Sequence, residues 1–193
     1  MKKTLTIAAI SAATAAALFA QHSHNHAQPD AKPASAQAAP AKDGKPTKEQ
    51  ALAVFDKLKK FQGSWKCNSE GLGDFQESYK LIAGGSVLMG NEMEDKPEMA
   101  MVTMYHMDGD TLMLTHYCMA KNQPRLTLTK VSDDGNTATF EFKDGTNLAS
   151  RDVGHMDSVV INFKDDDNFN SRWSWYEKGK EGWMEAVTAK RVK

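Results

Sequence analysis

The chain of 193 residues has no excess of positive charge, because 24 lysines and arginines stand against 25 aspartates and glutamates. Nucleic-acid-binding domains usually show a strong basic surplus, so this balance argues against that class of function. After the first twenty residues, no apolar run reaches the length that a membrane-spanning helix requires. The composition therefore predicts a globular domain that does not bind nucleic acid and has no membrane span once its N-terminal segment is removed.

Cysteine and proline are also scarce, and both are unevenly placed. Cys67 and Cys118 are the two cysteines, and none precedes Cys67, which leaves no site for N-terminal lipid attachment. Four of the six prolines fall within residues 27–46, together with seven alanines. Such a segment cannot bury a core, which predicts a disordered linker over residues 21–46.

Residues 1–20 carry the parts of a secretory signal peptide. Lys2 and Lys3 give a positive start, and an alanine-rich apolar run follows over residues 5–20. We expect cleavage near Ala20 and export to the periplasm or the medium. Leu18 would stand three residues before that cut, where a small residue is preferred, so the cleavage position could shift by a few residues. The alternative is a segment that is not cleaved and anchors the protein in the membrane.

Histidine and methionine are concentrated in two places. His22, His24 and His26 alternate on the linker, and such a pattern can hold one divalent metal through neutral imidazoles. The simpler interpretation is a polar tail. Eight methionines lie between Met89 and Met119, which in an exported protein suggests copper ligation. They do not share one face or strand, however, and methionine is also a flexible filler of cavities.

Residues 47–193 predict one all-β domain behind one short helix. Thr47 and Gln50 form a capping-box pattern at the start of a helix of about three turns, which ends before Gly63. Its expected apolar stripe is Leu52, Phe55 and Leu58.

After the helix, short alternating runs are separated by turn signals, and no helical period intervenes. The expected strands lie near residues 62–69, 74–82, 86–94, 99–107, 110–119, 125–132, 136–143, 158–165, 168–177 and 183–191. This pattern predicts an antiparallel up-and-down β-barrel of about 8–10 strands, since closure removes exposed edges.

Several motifs carry a resemblance to known proteins. Gly63-Ser64-Trp65 opens the first strand and Arg191 lies in the last, which resembles the lipocalins and their relatives. In those proteins the Trp plugs the closed end of the barrel beneath the Arg. A longer string resembles an uncharacterised family of exported bacterial proteins, expected to be lipocalin-like: Met104-Tyr105-His106, Leu114-Thr115-His116-Tyr117-Cys118, Asn122-Gln123-Pro124-Arg125, Asn147-Leu148 and Gly154-His155-Met156. The resemblance implies a fold but no settled activity.

Parity along the strands predicts which side chains face the lumen. Met107-Asp108-Gly109 suits a three-residue hairpin loop with glycine in the left-handed conformation. That register makes three pairs: His106 with Asp110, Met104 with Leu112, and Val102 with Leu114. Paired residues share a face. The expected inward set is Val102, Met104, Leu112 and Leu114, joined by His106, His116 and Cys118.

These assignments give a set of ligand-binding candidates on an apolar inner wall: His116, Cys118, His155, Arg125, Trp173 and Trp175. His116 and Cys118 are two residues apart, and His155 joins them if its loop folds over that end. The alternative is a hydrogen-bonded core histidine beside a small apolar cysteine. Arg125 either clamps an anionic group or forms a surface ion pair. The two tryptophans either line a cavity or fill the barrel.

The leading hypothesis is an exported barrel that holds a modest apolar or amphipathic small molecule. The alternatives are periplasmic binding of copper or zinc, haem binding with His116 or His155 as axial ligand, and an enzyme of unknown reaction. The sequence contains no nucleophile elbow, Gly-rich phosphate loop or His-Glu-x-x-His motif. It identifies no cofactor and no protein partner.

The two cysteines are expected to remain free thiols. Export favours disulfides, but Cys67 lies on the first predicted strand and Cys118 on the fifth. In an up-and-down barrel those strands are on opposite walls, further apart than the about 7 Å between Cα atoms that a disulfide allows.

Overall fold

A computed structural model describes residues 44–184 and 186–193 of the chain. The predictions for the signal peptide, for most of the linker and for His22, His24 and His26 lie outside the described residues. One helix, α1 (Lys48–Lys59), and a 3-10 turn (Ala83–Gly85) accompany eleven strands. The strands are β1 (Gly63–Ser69), β2 (Gly73–Ile82), β3 (Val87–Glu92), β4 (Met101–Asp108), β5 (Thr111–Tyr117), β6 (Gln123–Val131), β7 (Thr137–Thr146), β8 (His155–Phe163), β9 (Asn168–Glu177), β10 (Lys180–Trp183) and β11 (Val187–Arg191).

Ten of the strands close an antiparallel up-and-down barrel. Each of β1 to β9 pairs with the next strand along the chain, and β11 joins β9 to β1. The predicted fold class, an antiparallel barrel of about 8–10 strands behind one helix, is confirmed. Closure follows from the alternating pattern, because it gives each of the ten barrel strands two partners while the apolar side chains share one interior.

The helix begins at the predicted capping box. Thr47 Oγ1 accepts from the Gln50 backbone N–H, and the Gln50 side chain accepts from the Thr47 backbone N–H. The predicted stripe is correct at Phe55 and Leu58 but wrong at Leu52, whose side chain is exposed. The buried face is Ala51, Val54, Phe55 and Leu58. These four residues have the spacing of one helical face. The smaller Ala51 lies on that face where Leu52 was expected.

The helix covers one end of the barrel, which we call the closed end. Lys48 pairs with Asp110 in the β4–β5 turn, Lys57 donates to the Gly135 carbonyl before β7, and Lys60 pairs with Asp166 before β9. Three successive turns at the same end are therefore fastened to α1. The opposite end carries no such cover within the described residues, and we call it the open end.

Trp65 and Arg191 make the contact that the sequence predicts. Trp65 is fully buried, and the Arg191 guanidinium lies 4.4 Å above the centre of its ring. Arg191 also donates to the backbone carbonyls of Lys60 and Gln62, between α1 and β1. Trp65 Nε1 donates to the Phe61 carbonyl at 2.7 Å. This arrangement joins the first strand, the last strand and the helix at the closed end.

The predicted β4–β5 register is wrong by three residues, since His106 pairs with Met113 and not with Asp110. Asp108 pairs with Thr111, so the loop has two residues, and Gly109 occupies its first position at φ 60°. A two-residue loop with glycine first is a favoured hairpin turn. Because a shift by an odd number of residues reverses a strand's faces, the predicted inward positions on β4 are wrong: Val102, Met104 and His106 lie on the outer face. The inward, buried residues of β4 are Met101, Thr103 and Tyr105.

The predicted inward positions on β5 are correct, since Leu112, Leu114 and His116 are all buried. The last strand, expected over residues 183–191, is shorter, Val187–Arg191, and the additional short strand β10 precedes it. Both β10 and β11 pair with β9, but only β11 also pairs with β1. At the open end, the edge of β10 that faces away from β9 therefore has no strand partner among the described strands.

Candidate functional site

A cavity of about 310 Å³ lies at the open end of the barrel. Most of its wall is apolar, and the principal side chains are Leu72, Phe75, Met93, Met101, Met156 and Trp173. Three ionisable side chains also line it: Glu77 from β2, Glu92 from β3 and His116 from β5. Each is less than a tenth exposed, so the three polar groups are held inside the barrel and away from bulk water.

Glu92 and His116 are joined through Thr103. The Thr103 hydroxyl lies 2.7 Å from Glu92 Oε1 and 2.8 Å from His116 Nδ1. Thr103 is directly opposite His116 in the β4–β5 ladder and is completely buried. The three side chains thus form a hydrogen-bonded row across three adjacent strands, and the row fixes the orientation of the imidazole ring.

Glu77 has its own partners on the other side of the site. Tyr79, two residues further along β2, donates its phenolic hydrogen to Glu77 Oε2 at 2.8 Å. The Cys67 thiol, on the neighbouring strand β1, also hydrogen-bonds to Glu77. These contacts satisfy part of the carboxyl group, and the remainder borders the cavity.

Burial changes the protonation of all three groups. Burial raises the pKa of Glu77 to about 8 and the charge of Glu92 adds to the rise, while hydrogen bonds from Tyr79 and Cys67 oppose it. Burial raises the pKa of Glu92 to about 7 against the hydrogen bond from Thr103. Burial lowers the pKa of His116 to about 4. Near pH 7 the carboxyl pair therefore retains at least one proton, and the imidazole is neutral.

A neutral imidazole gives the row two hydrogen-bonding arrangements. When Glu92 is ionised, Thr103 donates to it, and Nδ1–H of His116 donates to Thr103, which leaves Nε2 as an acceptor. When Glu92 is protonated, it donates to Thr103, Thr103 donates to Nδ1, and Nε2 carries the hydrogen. In both arrangements Nε2 is buried and has no partner among the described residues. The site therefore has an unused hydrogen-bonding atom beside the cavity.

Two of the six predicted binding residues line this cavity. They are His116 and Trp173, whose ring centres are 4.9 Å apart. Cys118 is buried just after β5 but is not part of the wall. Trp175 packs against Gly154, where a side chain would collide with its indole ring. The tryptophans thus divide between the two predicted roles, one lining the cavity and the other filling the barrel.

His155 belongs to a separate cluster. Its Nδ1–H donates to the Val153 carbonyl, and its Nε2 accepts from Arg151. The Arg151 guanidinium lies 3.7 Å from the centre of the Tyr176 ring and 4.5 Å from that of Phe142. Both nitrogens of His155 are thus used within this cluster, and the structure does not bring His155 into the cavity with His116.

Arg125 lies on the outer surface. Its guanidinium forms a bidentate pair with the carboxylate of Asp144 on β7, and nearly half of each side chain is exposed. Of the two alternatives that the sequence leaves open for Arg125, the structure shows the surface ion pair.

Three of the site's residues escape the sequence reasoning: Glu77, Glu92 and Thr103. A signal for Glu77 is present, since it alternates with Phe75 and Tyr79 on β2, which places a carboxyl group on an apolar face. Glu92 likewise follows Leu88 and Gly90 on the inward face of β3. Thr103 is hidden by the misassigned register of β4.

Metal ligation finds no support in the part of the chain that the structure describes. No group of three or more His, Cys, Asp or Glu side chains there is arranged to hold a metal ion. The copper and zinc alternative consequently depends on His22, His24 and His26. Within residues 44–184 and 186–193, no helix combines the length and apolar character that crossing a membrane requires.

Comparison with known proteins does not assign the chain to a family. No protein-family profile matches the chain, and no curated protein matches it. A crystal structure of a DUF3598-family protein of unknown function from Nostoc punctiforme is similar to it, with a TM-score of 0.43 and 13% identity. The alignment covers 72% of this chain and 49% of that one, so the chain spans about half the length of that protein.

Proposed function

We propose that this protein is an exported small-molecule-binding barrel, which holds a small, largely apolar ligand at its open end. The observation that carries the proposal is the cavity of about 310 Å³ with an apolar wall and a few fixed polar groups. Ligand pockets have this character, and their volumes begin at about 300 Å³. A volume at the lower end of that range favours a compact molecule over a haem.

The contrast between the two ends of the barrel supports a binding role. At the closed end, Phe61 stacks on Phe169 with ring centres 4.2 Å apart and meets Trp65 edge to face. That packing leaves the closed end filled. The cavity lies where the chain supplies long, flexible methionines instead, which are suited to adapting their shape to a ligand.

The test is titration of the full chain with prodan, a neutral fluorophore whose emission shifts to the blue in apolar surroundings. Ser171 lines the cavity, so Ser171→Phe fills it and is expected to weaken binding by at least about tenfold. The matched control is Ser64→Phe on the exposed outer face of β1, which should bind as the wild type does. Equal binding by both variants, or none by the wild type, would contradict the proposal.

Export has its own test, because it rests on residues 1–20. N-terminal sequencing of the protein recovered from the periplasm or medium of its host should find a chain that begins near residue 21. Recovery of a chain that still begins with Met1 would refute cleavage while leaving the binding proposal intact.

A further inference from the structure

The polar part of the cavity lacks a positive charge. Glu77 and Glu92 both line it, yet neither forms an ion pair with a lysine or arginine within the described residues. No lysine or arginine is among the cavity's lining residues either. Buried carboxylates are costly unless a cation or several hydrogen-bond donors accompany them. The cavity is thus large enough for a cation whose charge would balance a carboxylate, and no described side chain lining it supplies that charge.

His116 adds an independent observation. The side chain is 1% exposed and borders the cavity, but its Nε2 has no partner among the described residues. When Glu92 is ionised, Nε2 is a hydrogen-bond acceptor, as the Thr103 row requires. An unsatisfied buried acceptor costs free energy, which a donor on a ligand would recover.

We propose that the ligand is a small primary amine with an apolar body, whose ammonium group is bound by Glu77, Glu92 and His116 Nε2. This inference rests on the proposed function and names the chemical class of its ligand. A primary ammonium ion has three N–H donors and no acceptor. The site offers two carboxyl groups and one imidazole nitrogen, so the number and kind of its polar groups match those donors.

The remaining wall suits the body of such a ligand. Phe75 and Trp173 supply aromatic rings, which attract a cation near their faces and an apolar chain elsewhere. Leu72, Met101 and Met156 complete an apolar surface. The Trp173 ring lies against that of His116, so the aromatic surface begins directly beside the acceptor nitrogen.

Amine binding must displace protons from the carboxyl pair. The ionisable and hydrogen-bonding groups around the pair are Cys67, Tyr79, Glu94, Thr103, Tyr105, His116 and Cys118. Among them His116 stays neutral above about pH 6, since burial lowers its pKa. A bound ammonium ion carries one positive charge and therefore favours ionisation of one carboxyl group of the pair, which is Glu92, the group with the lower pKa. Affinity should therefore rise as the pH increases from about 6 to about 8.5, with about one proton released per ligand near pH 6.5.

The experiment is isothermal titration calorimetry of the full chain with phenethylamine and, as a neutral ligand of the same shape, phenethyl alcohol. The amine is expected to bind at least about tenfold more tightly, which is the effect of one charge-assisted hydrogen bond. Titrations near pH 6.5 in two buffers of different ionisation enthalpy count the protons released. The amine should release about one proton and the alcohol none. This measurement uses only the wild-type protein.

Variants then assign the effect to the carboxyl groups. Glu77→Gln and Glu92→Gln keep the side-chain shape and should each reduce the preference for the amine, and the double variant should abolish it. The matched control is Glu98→Gln, an exposed residue between β3 and β4, which removes the same charge outside the cavity. It should retain the full preference.

The outcomes separate this inference from the proposed function. If prodan binds but the amine shows no advantage over the alcohol, or releases no proton, the amine inference is overturned and the binding function stands. An amine preference that survives in the double variant also overturns it. If neither prodan nor either phenethyl ligand binds, the proposed function fails and the amine inference fails with it.

Discussion

Raising the pH from about 6.5 to about 8.5 should destabilise the folded protein, because two buried carboxyl groups resist ionisation. The pKa of Glu77 is raised to about 8 and that of Glu92 to about 7, both from an ordinary 4.5. In this range the unfolded chain has already released both protons, whereas the folded chain holds them at the lower pH and releases them as the pH rises. Stability therefore falls as the pH rises until each folded-state pKa has been passed.

The size of the fall follows from the same pKa values. At about 1.4 kcal/mol per pKa unit, the interval from pH 6.5 to the Glu77 pKa corresponds to about 2 kcal/mol, and Glu92 adds less than about 1 kcal/mol. The lower limit of pH 6.5 excludes most of the contribution of His116. Because its pKa is lowered in the folded protein, His116 makes stability rise with pH below its ordinary pKa of 6.5. The upper limit avoids Cys67 and Cys118, since burial raises the pKa of both thiols above 9.0 and adds a further loss at higher pH.

The assay is urea unfolding followed by tryptophan fluorescence at the two pH values. The wild type should lose about 2–3 kcal/mol of unfolding free energy, while Glu77→Gln should lose less than about 1 kcal/mol because its amide does not ionise. Glu98→Gln serves as the exposed control and should follow the wild type. A wild-type stability that stays constant or increases over this range would refute the reasoning, since it would mean that the carboxyl groups ionise as they do in water.

Two further predictions concern packing and the thiols. Gly90→Ala should destabilise the protein by about 1–3 kcal/mol in the same assay, because the new Cβ would lie 2.7 Å from a ring carbon of Tyr79. Gly182→Ala has no atom within 4 Å to meet and should change the stability by less than about 0.5 kcal/mol; equal effects would contradict the packing. Cys67 and Cys118 are free and buried, so a thiol reagent should label both under denaturing, non-reducing conditions and react slowly with the native protein. An unreactive denatured chain would reveal a disulfide.

The architecture was accessible from the sequence because its signals are local or repeated. The capping box at Thr47 needs only four residues, and the alternation of apolar and polar residues recurs along every strand. The contact between Trp65 and Arg191 joins distant parts of the chain, and it was predicted through a family resemblance and not through periodicity. Closure of the barrel then follows from the number of strands and the absence of intervening helices.

The site was less accessible because it depends on register. The predicted hairpin has Gly109 at the end of its loop, whereas the structure has Gly109 at the start; the resulting register reverses the faces of β4 and conceals Thr103, and with it the link between Glu92 and His116. Glu77 and Glu92 follow the alternation of their own strands, yet a carboxyl group is normally expected on the outer face. Burial of a carboxyl group depends on the tertiary structure. Its hydrogen-bond partner, such as Thr103 for Glu92, can be identified only once the pairing of the strands is known.

The additional strand β10 has a consequence for self-association of the protein through its sheet edges. Ring closure gives ten strands a partner on both sides, so β10 is the strand that presents an unpaired edge within the described residues. An exposed edge is a template for intermolecular sheet formation. Here that edge is four residues long and consists of Lys180, Glu181, Gly182 and the exposed Trp183, whose ring centre lies 5.6 Å from the Arg172 guanidinium. The short length of this edge and the charges of Lys180 and Glu181 both discourage a foreign strand from docking there.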